Sequence, residues 1–160
     1  MPILIDGYNL YHYARSVYAE DGTDLSLSAF VSLLDEWTRR GRQKVKIIFD
    51  GAVPPVLRQN PSRYGSLDLE FSGGGSDADT LIEVQVHLYS APKFLTVVSS
   101  DRRIRKAAER RRCKVKTSDE FWLMIAKKLT SKPPLPDPRE KTGGLFSHEV
   151  EYWLKVFGMK

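Results

Sequence analysis

The chain has 160 residues, 41% hydrophobic and 11% aromatic, which excludes a disordered polymer and supplies enough apolar side chain for one domain with a core. A formal net charge of +5 and an isoelectric point near 9.3 favour an anionic partner such as nucleic acid without identifying one. The lone cysteine, Cys113, excludes an internal disulfide; with no basic-then-apolar leader and no apolar run of membrane-spanning length, a soluble cytoplasmic protein is expected.

The first stretch, Pro2 to Leu10 (PILIDGYNL), reads as a buried strand that delivers Asp6 to the rim of a sheet. Tyr11 to Glu20 suits a short helix or an ordered loop, broken by Asp21-Gly22. Ser26 or Ser28 can cap the next helix, whose stripe is Leu27, Phe30, Val31, Leu34 and Trp37 and whose end is marked by Arg39, Arg40 and Gly41. A second strand, VKIIFDG, runs from Val45 into Asp50. After a long proline-rich connection from Gly51 to Gly65, Leu67, Leu69 and Phe71 alternate with polar residues as in a half-exposed strand. Gly73-Gly74-Gly75 reads as flexible, and Ser76 can cap a helix through Leu81, Ile82, Val84, Val86 and Leu88. A third apolar run, Phe94 to Ser100, ends at Asp101; a helix over Arg102 to Arg112 and a short strand at Cys113 to Lys116 follow. Thr117 with Glu120 forms a capping box for a helix to Leu129. This alternation predicts a three-layer α/β/α fold on a mostly parallel sheet.

Past Leu129 the composition changes. Thr130 to Gly144 holds four prolines and a glycine pair, a linker, and Ser147 can cap a last helix with Val150, Trp153, Leu154 and Phe157 on its apolar face. The expected organisation is a domain over 1–129 and a linker with a C-terminal helix over 130–160.

The chemistry lies in the carboxylates. Ligands of an open parallel sheet bind beyond the carboxyl ends of its strands, where Asp6, Asp50 and Asp101 are expected to meet. Asp77 and Asp79 open a helix entered from the glycine loop at that edge. Four or five crowded carboxylates repel one another without a cation, and an all-oxygen donor set selects Mg²⁺ or Mn²⁺. Such ions activate water and neutralise a phosphate oxygen, the arrangement used in phosphodiester hydrolysis. Each aspartate has a plainer reading as a turn former, and Asp77 or Asp79 suits a helix N-terminus for structural reasons alone.

Basic residues come second. Most of those from Arg102 to Lys116 read as a solvated helix face, but Arg102 and Arg103 follow Asp101 and can hold phosphates there. Arg58, Arg63 and Tyr64, in the connection after Asp50, can clamp a strand by charge and stacking or simply belong to a packed loop. Ser99 and Ser100 either bond a phosphate or shape the turn; His12, His87 and His148 form no ligand set.

Asp6-Gly7-Tyr8-Asn9-Leu10, Phe49-Asp50-Gly51, Ser76-Asp77-Ala78-Asp79 with Ile82-Glu83, and Val97-Val98-Ser99-Ser100-Asp101 together resemble NYN domains, and most the YacP-like subgroup of the PIN-like nucleases. The resemblance spans roughly Ile3 to Leu129, and Glu151-Tyr152-Trp153-Leu154 with Phe157 is similar to the subgroup's tail. It implies a metal-dependent endoribonuclease using Mg²⁺ or Mn²⁺. Asp6, Asp79 and Asp101 match the acidic core, Asp50 the second-strand acid, and Asn9 an asparagine that orients Asp6 or a water. Asp77 and Thr80 depart from the subgroup's more usual threonine and acid, which leaves open whether Asp77 or Asp79 touches metal. The implied substrate is RNA, extending to ribosome-associated messenger RNA, cut to 5′-phosphate and 3′-hydroxyl ends. A haloacid-dehalogenase-type phosphatase needs an aspartate where Tyr8 stands, and no phosphate-loop lysine motif is present. The remaining alternative is a non-catalytic RNA- or ribosome-binding module on the same fold.

Overall fold

The three apolar runs that end in aspartate are the centre of one five-stranded parallel sheet. The computed structural model describes residues 2–58 and 66–130. Its strands are β1 (Ile3–Asp6), β2 (Val45–Phe49), β3 (Leu67–Phe71), β4 (Thr96–Val98) and β5 (Lys114–Lys116), in the spatial order β3-β2-β1-β4-β5. β1 has β2 on one side, with Ile5 opposite Ile47, and β4 on the other, with Ile5 opposite Val98. The helices are α1 (Gly7–Glu20), α2 (Leu27–Gly41), α3 (Pro55–Arg58), α4 (Ala78–Leu88), α5 (Arg102–Arg110) and α6 (Ser118–Thr130).

Strand periodicity sorts the helices into two layers. Ile3, Ile5, Val45, Ile47, Phe49 and Val98 point into the core shared with α1, α2 and α6. Leu4, Ile48 and Val97 point the other way, onto Ala78, Ile82 and Val86 of α4 and Ile104 and Ala108 of α5. Because both faces are covered, β1 is buried along its whole length, which explains its unbroken apolar run. The first layer is cross-braced by aromatics: Trp122 stacks on Phe30 and the Phe121 ring meets Trp37 edge-on. The expected three-layer α/β fold is therefore the observed one.

Several elements differ in detail from the sequence reading. α1 begins directly at Gly7, so Gly7 to Leu10 are helical rather than part of the stretch before a helix or loop starting at Tyr11. Ser26, not Ser28, caps α2, and the left-handed residue after that helix is Arg42 rather than Gly41. Asp77, not Ser76, caps α4. Val84 and Leu88 are exposed, because α4 buries only the face carrying Ala78, Ile82 and Val86. Gly73 is pinned: its N–H donates to Gly51 O at 2.9 Å, and both glycines hold positive φ, of 70° and 88°. The loop residues Arg63 and Tyr64, the linker from 131 onward and the C-terminal helix read from Ser147 to Phe157 lie outside the described residues.

Gly7 is fixed by a close approach. A Cβ there would stand 2.9 Å from Ile48 O and closer still to the Phe49 ring, at the point where β1 turns straight into α1. Gly7→Ala is expected to cost about 1–3 kcal/mol through overpacking. The check is thermal melting; an unchanged midpoint would show that the β2 backbone and Phe49 yield freely.

Candidate active site at the carboxyl edge of the sheet

Strand order reverses direction between β1 and β4: the chain moves outward through β2 and β3, then returns across the sheet to β4 and β5. The crevice at such a switch point is where open α/β sheets bind ligands. Asp6 ends β1 there and Ser99 follows β4. The Ser99 hydroxyl, fully buried, donates to Asp6 Oδ2 at 3.0 Å and accepts from the Asp101 N–H at 3.0 Å. One hydroxyl thus fixes the central carboxylate and the loop that carries Asp101. Being buried, it shapes the turn and presents nothing to a phosphate.

Asp6 is only 8% exposed, and its pKa is pushed up to about 6. Burial is the main cause, opposed by the Ser99 hydrogen bond and reinforced by the charges of Asp79 and Asp101; a backbone hydrogen bond from Asn9 works against the shift. Asp79 is raised as well, by burial and then by Asp101, with Asp77 and Asp50 adding to it and Arg103 opposing. Asp6, Asp79 and Asp101 therefore share one field although they come from β1, α4 and the entry to α5.

The other two aspartates are engaged in holding loops. Asp77 Oδ1 accepts the Thr80 N–H at 2.7 Å as the cap of α4, and this bond holds its carboxyl below the usual range. Asp50 Oδ1 accepts the Ala78 N–H at 3.1 Å and the Ser72 hydroxyl at 3.2 Å, so the carboxylate after β2 positions the first turn of α4. Asp101 also caps, accepting the Arg103 N–H at 2.8 Å through Oδ1.

A divalent cation suits this edge in donor type and in charge: every candidate donor is a carboxylate oxygen, and the electrostatic strain on Asp6 and Asp79 is of the sign a cation relieves. The side chains are not drawn into a closed shell, since among the described residues no three His, Cys, Asp or Glu stand close enough to enclose a metal ion.

The Asn9 side chain is engaged in the loops that frame the site. Its Oδ1 accepts the Ser100 N–H at 2.9 Å and the Ser118 hydroxyl at 2.6 Å, while the Ser118 N–H donates to the Ser100 hydroxyl at 3.0 Å. The side chain ties α1, the loop after β4 and the start of α6 together, and only its backbone reaches Asp6. Ser100, although exposed, is committed to the same knot. Arg103 is bound to Glu83 and faces Thr80, so its guanidinium braces α5 against α4 beside the acids. Arg102 is exposed. Arg58 ends α3, with its side chain outside the described part, as is all of Arg63. Sequence reasoning assigned no role to Ser118, Ser72 and Glu83; a polar residue in the first turn of α6, directly after the Thr117 cap, was the only signal for Ser118, whereas nothing local marks the partners of Asp50 and Arg103.

The YacP-like NYN domain family matches residues 3–136 of the chain. Among solved structures the chain is similar to Rae1 (YacP) from Bacillus subtilis, at 19% identity and a TM-score of 0.62, with 99% of this chain and 92% of that one covered. The W164L mutant of the same Bacillus subtilis protein is similar at 20% identity and a TM-score of 0.54, covering 98% and 92%. At these identities the likeness is one of fold. No curated protein gives a significant sequence match.

Proposed function

The chain belongs to the YacP-like NYN domain family, a branch of the PIN-like nucleases, and from that premise we propose that it is an endoribonuclease dependent on Mg²⁺ or Mn²⁺. The observation that carries this reading is the common field of Asp6, Asp79 and Asp101 at the switch point of the sheet. These three would hold the cation. When bound there, a divalent ion supplies charge neutralisation at the scissile phosphate and lowers the pKa of water.

The chain's own residues do the rest. Ser99 keeps Asp6 in one rotamer; Asp50 and Asp77 set the first turn of α4 and so the position of Asp79. Arg103, held by Glu83, keeps α5 and Asp101 at a fixed distance from Asp79. Arg102, exposed beside Asp101, is the side chain available to a substrate phosphate. The expected products carry 5′-phosphate and 3′-hydroxyl ends, and ribosome-associated messenger RNA is the substrate setting we favour.

The test is incubation of end-labelled single-stranded and structured RNA, naked and on ribosomes, with Mn²⁺ or Mg²⁺ and with chelator. Cleavage that requires the cation is expected. Salt-sensitive RNA binding with no cleavage of either form would replace the enzyme by a non-catalytic RNA- or ribosome-binding module.

A further inference from the structure

The arginines and lysines that follow Asp101 do not form one solvated face; packing sorts them. Arg103 is bound to Glu83. Arg111 closes the end of α4, donating to Tyr89 O at 2.8 Å and Val86 O at 3.4 Å. Arg105 is half-buried, with Asp119 within its electrostatic reach. Arg112 takes the left-handed conformation that ends the turn after α5. Besides Arg112, which lies past the helix end, three exposed cations have no side-chain ion pair or hydrogen bond to another described residue: Arg102, Lys106 and Arg110 on α5.

These three are spaced four residues apart, so they lie on one side of α5 and form a row of about 12 Å at 1.5 Å per residue. The row starts beside Asp101 and runs away from the carboxylates. It borders a groove of about 450 Å³ between α4 and α5, whose other lining is Glu83, Arg103 and Ala107. Glu83 is the acid in that lining, and Arg103 already balances its charge. On the α4 side the adjoining surface exposes Val84 and Leu88 and includes His87, an apolar flank against which bases can lie.

We propose that Arg102, Lys106 and Arg110 form a phosphate track that carries a single-stranded RNA segment flanking the scissile bond along the α4/α5 groove. The track deepens the nuclease reading and rests on it. A row this long meets the backbone of a few nucleotides, and its contacts are electrostatic and blind to sequence.

The test measures binding of a labelled unstructured RNA to the full-length protein in chelator, across a salt series. Each phosphate contact on a single strand contributes about 0.7 to the slope of log affinity against log salt, so R102A/K106A/R110A is expected to flatten that slope by about 2. The charge-keeping variant R102K/R110K should retain it. A control, K44A/K93A, removes two exposed cations from the opposite, amino edge of the sheet and should leave the slope near the native value. Native binding with an unchanged slope in the triple variant overturns the track while leaving the nuclease reading intact. An equal loss of slope per charge in the control also overturns it, because overall charge would then suffice. A native protein that neither binds RNA nor cleaves it overturns the track together with its premise.

Discussion

Replacing Asp6 with Asn is expected to abolish cation-supported cleavage and, in the same protein, to raise the stability of the metal-free fold. Burial and the facing Asp79 and Asp101 raise the Asp6 pKa from 3.8 to about 6. The proton is thus held more tightly in the folded state than in the unfolded one. Below pH 3.8 both states are protonated and Asp6 carries no penalty. Between 3.8 and 6 the unfolded state ionises first and stability falls; above 6 the whole cost is present, about 3 kcal/mol at 1.36 kcal/mol per pH unit. Asparagine keeps an oxygen for the Ser99 hydroxyl and discards the charge. We therefore expect Asp6→Asn to gain roughly 1–3 kcal/mol at pH 7.5, a rise of several degrees in melting temperature, with the gap closing as the pH is lowered toward 4.

Divalent cation should act in the opposite direction. A ligand that binds only the folded state stabilises it by mass action, so Mn²⁺ should raise the melting temperature of the native protein and leave Asp6→Asn nearly unmoved. In chelator the variant melts higher; in excess Mn²⁺ the difference narrows or reverses. Two results would sink the assignment: a variant that melts at or below the native protein in chelator at pH 7.5, or equal stabilisation of both proteins by Mn²⁺.

What could be read from the sequence is what local pattern determines. ILID, VKIIF and the run to Val98 are mostly apolar because their strands are covered on both faces, and each runs into a polar residue because each ends at the same edge. Thr117 and Glu120 bond as a capping box, a motif complete within four residues. Long-range partners were not legible. Ser76 and Asp77 are both competent caps, and the choice is made by Asp50, which pulls the Ala78 N–H toward itself from 28 residues away. Arg103 looks free for phosphate until Glu83, on another helix, is placed beside it. The motif asparagine, Asn9, is occupied by Ser118, 109 positions on, a pairing that only the docking of α6 against α1 creates.

The same distinction between local and distant partners separates the two acids of α4. Asp77 and Asp79 are two residues apart, and their pKa values move in opposite directions. Asp77 is exposed and already satisfied by the Thr80 N–H, so its carboxylate is stable without a cation. The Asp79 carboxylate makes no side-chain hydrogen bond with another described residue and is raised by burial and by Asp101, so it gains most from one. Asp79→Asn is accordingly expected to lower cleavage by more than about 100-fold, beyond the usual loss from disturbing a group outside the ligand shell. Asp77→Asn should stay within several-fold of native, because asparagine caps a helix about as well as aspartate. Calorimetric titration with Mn²⁺ gives a readout independent of turnover: Asp79→Asn should lose most of the binding heat and Asp77→Asn should keep it. The reverse pattern would move the ligand to Asp77 and leave Asp79 as a first-turn acid complementing the helix dipole.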